Sequence, residues 1–248
     1  MIQMECRFLE RILFLFLLTL PFNLLPSEHL KIFPVGEKLE YEGKFGFINL
    51  GNMVLEIVDT ATIANSTYYV IVSCLNSNPD LNYLFSLNDT IKVYTMINSL
   101  MPVFYEKKIH EGKYSNYQRL KFNQDSFYVI LNDSSKINLT QPVMDLLSFW
   151  YYLRRIPLIE NDTIILYIFE GRQQHRIECI VGKKEIIKTP LGKFSTIRVT
   201  PKTPGKGVFG AGGSMDIWYT LDENRFPVQI KTKLKFGTVL FKLKGVSY

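Results

Sequence analysis

The sequence predicts a mainly β protein: one large curved antiparallel sheet or half-open barrel, with a single buried helix over about 142–155 packed against it. Three observations carry that reading. Short runs in which apolar and polar residues alternate recur along most of the chain, and clusters of Asn, Asp, Gly and Ser separate them. Aromatic residues that suit a pleated, half-buried surface are abundant, with 14 tyrosines and 18 phenylalanines among 248 residues. One segment alone, near the middle, changes to helical spacing. At 47% hydrophobic and 21% charged residues, the chain is ordinary globular material.

The first 27 residues differ from the rest. Arg7 and Arg11 precede the apolar run "ILFLFLLTLPFNLL", Ile12 to Leu25. That run falls short of the ~20 residues that span a bilayer as a helix, so it reads as the core of an export signal, with an uncleaved N-terminal anchor as the alternative. Residues 28–248 then form a single exported β-rich domain, periplasmic or attached to the cell envelope. Within it remain Cys74 and Cys179, each in a strand-like run and each expected to point into the core, where pairing is permitted by an oxidising compartment but is not required.

Strand-like runs follow in order at 38–48, 53–63, 67–75, 90–97, 102–109, 114–122 and 126–131, and again at 163–171, 174–182, 194–201 and 215–222. The final pair, "VQIKTKLKF" and "TVLFKLKG", reads as a hairpin turning around Gly237. Its alternation sets Val228, Ile230, Thr232, Leu234 and Phe236 on one face, with Gln229, Lys231, Lys233 and Lys235 on the other. Between the two sets of runs lies "DLLSFWYYLRR", Asp145 to Arg155. Pro142 suits the first turn of a helix, Arg154 and Arg155 suit its C-terminal end, and Ile156-Pro157 stops it. Its apolar residues cover nearly all faces, which predicts a plug buried in the core; lining of a ligand pocket by Trp150, Tyr151 and Arg154 is the functional alternative.

These residues also carry a resemblance. "DLLSFWYYLR" (145–154), "TPLGKF" (189–194) and "DIWYTLDENRFPVQI" (216–230), after an N-terminal "GEKLEYEGKFGFINLGNMVLEI" (36–57), resemble the bacterial exported family known as domain of unknown function 3108. The resemblance implies a secreted or periplasmic β-rich protein. It implies no activity and carries over no catalytic residue.

Motifs for chemistry are weak. "GKGVFG", Gly205 to Gly210, satisfies G-x-G-x-x-G, yet it leads into a strand, whereas a dinucleotide site needs a helix N-terminus. No nucleotide cofactor is expected. His29, His110 and His175 lack metal-ligand spacing, and no metal site or catalytic residue is assigned. Asp216, Asp222, Glu223 and Arg225 cluster around a strand end, where turn formation explains them. Five N-x-S/T sequences, at Asn65, Asn88, Asn132, Asn138 and Asn161, would mark surface loops in a eukaryotic secretory protein but carry no such meaning in a bacterial one, where the Asn-rich composition produces several by chance.

Charge supplies the remaining signal. The net charge is +6, and Lys231, Lys233, Lys235, Lys242 and Lys244 all belong to the C-terminal hairpin. Their shared outward face is expected either to protect the sheet from aggregation or to contact an anionic envelope surface. Nucleic acid is not expected as a partner, because the aromatics lie in apolar strands away from the lysines. The function these features favour is a non-catalytic exported module that binds or carries an amphiphile or docks on an envelope partner. An envelope hydrolase with carboxylates or histidine on the rim of the β-structure is the alternative.

Overall fold

In the computed structural model the described residues are 32–248, apart from 82, 84, 85, 204–213, 235 and 236. The expected signal segment, His29, the Gly205–Gly210 stretch, Lys235 and Phe236 lie outside them. Eight strands precede the helix: β1 (Lys38–Phe45), β2 (Ile48–Ile63), β3 (Ser66–Ser77), β4 (Asn88–Met96), β5 (Pro102–Glu111), β6 (Tyr114–Asn123), β7 (Tyr128–Leu131) and β8 (Ser135–Asn138). Helix α1 (Leu146–Arg155) follows, and then β9 (Thr163–Glu170), β10 (Gln173–Thr189), β11 (Gly192–Lys202), β12 (Ser214–Thr220), β13 (Pro227–Leu234) and β14 (Gly237–Ser247).

All fourteen strands form one sheet in the order β8-β7-β6-β5-β4-β3-β2-β1-β14-β13-β12-β11-β10-β9. Every named pairing is antiparallel, and each joins neighbours in sequence except β1 with β14, which unites two meanders. The sheet does not close, and its edges, β8 and β9, are consecutive in the chain. Tight turns set the meander: Asn65, Asn132 and Asn161 take positive φ, which Asn tolerates better than most residues.

The connection from β8 to β9 occupies the open seam. Leu139 donates its amide to the Phe127 carbonyl, and the buried Gln124 side chain holds both the amide and the carbonyl of Val143. On the other side Met144 pairs with β9, donating to the Tyr167 carbonyl and accepting from the Phe169 amide. Residues 140–144 are thus tied to both sides of the seam and are not helical, so α1 starts at Leu146, later than Pro142 suggested. Asp145 supplies the cap. Its carboxylate accepts from the amides of Leu147 and Ser148 and from the Ser148 hydroxyl.

Helix α1 is buried as expected for a plug: Leu147, Phe149, Trp150, Tyr151 and Leu153 belong to the main core. One departure concerns the outer face of the sheet. β10 runs past its expected end to Thr189, and its hairpin with β11 folds back over β12, β13 and β14. The Trp218 indole donates to Glu185 of that hairpin, and Lys242 donates to the Lys188 carbonyl. Gln229, placed outward by alternation, is therefore 8% exposed and covered, whereas Lys231 and Lys233 are exposed.

The cysteines divide. Cys179 is fully buried, and burial pushes its thiol up to about 12. Cys74 departs from its expected core position: it stands opposite Val54 and Thr90 and is half-buried, while its neighbour Ser73 faces the buried Leu55. Both thiols are free.

Burial pushes the Asp145 carboxyl above its ordinary range, against the opposing pull of its hydrogen bonds from Ser148 and Leu147. A raised folded-state value means that this group favours folding most below its unfolded value, about pH 4, and that the advantage is lost as pH rises through the folded value. Asp145→Asn keeps an acceptor for the helix amides and removes the buried charge. Urea unfolding should show the variant gaining on the parent as pH goes from about 4 to 7, while Asp145→Ala loses about 1 kcal/mol or more with the cap. A pH-independent difference between Asn and parent would contradict the burial argument.

Candidate ligand-binding site

The two ends of the curved sheet differ in what fills them. One end holds the C-terminus of α1. There the Arg154 guanidinium forms a two-pronged ion pair with Glu37, just before β1, at 2.6 and 2.8 Å. It also donates to the Asn224 carbonyl in the β12–β13 turn and lies 4.5 Å over the Phe33 ring and 5.1 Å over that of Phe226. Arg155 reaches the carbonyls of Ile97 and Asn98 after β4, each at 2.8 Å, and Arg225 donates to the Ile156 carbonyl. These bonds fasten the helix to three strand ends.

The surroundings of the pair are apolar. Burial alone would push the Arg154 guanidinium down, but the hydrogen bonds and charge of Glu37 push it above its ordinary value, so it stays charged. Burial pushes the phenols of Tyr41, Tyr151 and Tyr219 up as well. The Tyr219 hydroxyl donates to the Trp150 carbonyl at 3.3 Å. Among the described residues, Trp150 Nε1 and the hydroxyls of Tyr41 and Tyr151 make no hydrogen bond.

The other end opens. Strand directions place the last residues of β1, β3 and β13 there, away from α1, and between them lies a cavity of about 560 Å³. Ile48, Leu50, Leu75, Leu81, Leu87, Leu234, Val239 and Phe241 give it apolar walls, with Thr232, Asn76 and Ser77 the polar members. Gly43 and Gly51 also line it and are cross-strand partners. Each is glycine for a steric reason. A Cβ on Gly43 would stand 2.7 Å from the Phe241 ring, and one on Gly51, where φ is +148°, would stand 2.0 Å from the Asn76 carbonyl oxygen. Two opposed glycines leave a bare patch of backbone inside the sheet, over which Phe241 lies.

The lip of this cavity is apolar too. Phe47, in the β1–β2 turn, is 95% exposed and Ile48 is 43% exposed; Tyr83, after the 3-10 turn Pro79–Leu81, is 81% exposed. On the outer face of the same strands a shallower hollow of about 420 Å³ lies between the β10–β11 tip and β1 and β14. Lys44, Lys188 and Lys242 border it, with Glu42 among them.

The residues singled out from the sequence are distributed between these regions. Trp150, Tyr151 and Arg154 are brought together in the core at the helix end, and other residues line the two cavities described above. Lys231, Lys233, Lys242 and Lys244 stand on the outer face; Lys244 donates to Asn52 at 2.7 Å. His110 Nδ1 meets the Ser115 hydroxyl at 2.8 Å, and His175 Nε2 meets the Glu170 carbonyl at 3.1 Å. Asp222 accepts from the Thr220 hydroxyl and from the amides of Asn224 and Arg225, which shapes the β12–β13 turn. Asp216 accepts from Thr200. No group of three or more His, Cys, Asp or Glu among the described residues could hold a metal ion.

Gly43 and Gly51, Glu37 and Gln124 were not foreseen. The glycines did leave a signal, since isolated glycines inside strand-like runs mark close backbone approach.

The sequence profile of the DUF3108 family, described as protein of unknown function, matches residues 40–244. The chain belongs to the DUF3108 family. Among solved structures, a beta-barrel-like protein of domain of unknown function DUF1849 from Brucella abortus superposes with a TM-score of 0.60 at 12% identity, covering 88% of this chain and 99% of that one. It shares the fold. A candidate exported protein with a YmcC-like fold from Bacteroides fragilis gives a TM-score of 0.41 at 12% identity, over 88% of this chain and 100% of the other. A candidate lipoprotein from Parabacteroides distasonis gives 0.36 at 12%, over 86% and 96%. No curated protein matches the sequence. No helix among the described residues is long and apolar enough to cross a membrane.

The Arg154–Glu37 pair makes a prediction. Removing one partner strands a buried charge, so Glu37→Gln should cost about 3–5 kcal/mol, whereas joint replacement by Glu37→Met and Arg154→Met should restore most of it. Chemical denaturation reads both. A parent-like midpoint for Glu37→Gln would show that the pair does not hold the helix end.

Proposed function

We propose that this DUF3108 chain is a non-catalytic exported module that binds or carries an amphiphile, with the ligand's apolar chain in the cavity at the end opposite α1. One observation carries the proposal: the cavity is about 560 Å³, open at its lip, and walled by aliphatic and aromatic side chains. That volume is typical of small-molecule sites, of roughly 300–1,000 Å³. Water gains little in such a space, since it offers few hydrogen-bonding partners. An alkyl chain gains ~0.8 kcal/mol per buried methylene, so ten come to ~8 kcal/mol, from which the cost of association is subtracted.

Export is part of the same proposal. Its support is the apolar run from Ile12 to Leu25, behind Arg7 and Arg11.

Titration with a fluorescent fatty acid tests the proposal. Parent protein should enhance the probe's emission saturably, with one site per chain. Leu75→Trp, which fills the cavity from the inner face of β3, should weaken binding about ten-fold or more while leaving the unfolding midpoint near that of the parent. Thr232→Phe provides a second filling from β13. Undiminished binding by both folded variants would place the probe elsewhere and refute the assignment.

A further inference from the structure

The cavity opens at one end of the sheet, and the outer surface beside that opening is cationic. Lys44 of β1 stands opposite Leu240 of β14, which stands opposite Lys231 of β13, so the three side chains share a row on the outer face. Lys233 lies two residues nearer the β13–β14 turn, and Lys242 faces Glu42 one row back. Lys188 joins them from the tip of the β10–β11 hairpin. Two acids face the same patch: Glu42, in an ion pair with Lys44 at 2.8 Å, and Asp216, opposite Lys231. Five lysines against two carboxylates leave the patch positive. At its edge the β1–β2 turn exposes Phe47 almost completely beside Ile48, which lines the cavity.

We propose that this end of the sheet is a membrane-docking tip: Phe47 enters the headgroup boundary of an anionic bilayer, Lys44, Lys231 and Lys233 contact its headgroups, and the cavity takes its amphiphile from that bilayer. The proposal rests on the amphiphile reading of the cavity and adds where the ligand comes from. Charge complementarity selects the occupant. A cationic patch beside the exposed Phe47 fits a surface of anionic headgroups over hydrocarbon, because each lysine near such a surface is attracted and an apolar side chain anchors just below it. The geometry also sets the orientation. The opening faces the lipid, and α1, fastened at the other end by Arg154 and Arg155, faces away.

Co-sedimentation of the full chain with vesicles tests the tip. Phosphatidylcholine vesicles are compared with mixed phosphatidylcholine and phosphatidylglycerol vesicles, for the parent, Phe47→Ser and the triple variant Lys44→Gln, Lys231→Gln, Lys233→Gln. All carry the same N-terminal segment, so differences report on the tip. The parent should prefer the anionic vesicles and lose that preference at high salt, and each variant should bind them about ten-fold less or weaker still. Neither Phe47 nor these lysines line the cavity, so both variants should still bind the fluorescent fatty acid in solution as the parent does. Variants that sediment like the parent, or a parent indifferent to lipid charge, would overturn the docking tip while the solution titration still stands for the cavity. A parent that fails to bind the fatty acid would remove the cavity reading, and the tip with it.

Discussion

The open seam of the sheet is the constraint on which the rest of the structure depends. A meander of fourteen strands whose last pairing is missing leaves two edges, β8 and β9, with unpaired backbone groups, and such edges invite association with other chains. Because these edges are consecutive in sequence, the segment between them must cross the gap, and it does so with hydrogen bonds to both sides. The Gln124 amide grips Val143 from one side, and Met144 pairs with β9 on the other. Buried backbone groups need partners, and here the chain supplies them from its own connection.

Crossing the seam delivers α1 into the interior at one end only. The helix is ten residues long, and Arg154 and Arg155 fasten its C-terminus to the start of β1 and to the β4–β5 and β12–β13 turns. A plug of that length cannot also fill the far end. There the inner face is left to strand side chains alone, and two of the positions are glycine. The stable end and the open end thus follow from one topological fact, and the functional proposal places the ligand where the plug does not reach.

Much of this was legible in the sequence because local periodicity carries it. Alternation gave the strands and the C-terminal hairpin, and the change to helical spacing between Asp145 and Arg155 gave the buried helix. What local pattern could not carry was what lies over a given face. Gln229 alternates with apolar residues and so reads as outward, which it is, but a hairpin from elsewhere in the chain covers it. In "YYVIVSC" apolar residues occupy both faces, so alternation sorted Cys74 from Ser73 without saying which side was inside. The helix start was misplaced at Pro142, although Asp145 stood directly before the apolar run as a capping residue should. The cavity lay beyond reach for a different reason: its walls come from β1, β2, β3, β13 and β14, and only the pairing of β1 with β14 brings the two ends of the described chain together. The candidate pocket residues read from the sequence, Trp150, Tyr151 and Arg154, are gathered in space, but at the plugged end.

Hydrogen exchange with and without a saturating fatty acid tests the central claim most directly, since it reports where along the chain a ligand is felt. The account predicts slowed exchange in residues 48–51, 75–81 and 237–241, around the cavity, and unchanged exchange across Leu146–Arg155. Protection confined to the helix and its neighbours, with none around Gly43, Gly51 and Phe241, would contradict it and would place the ligand at the end that α1 occupies.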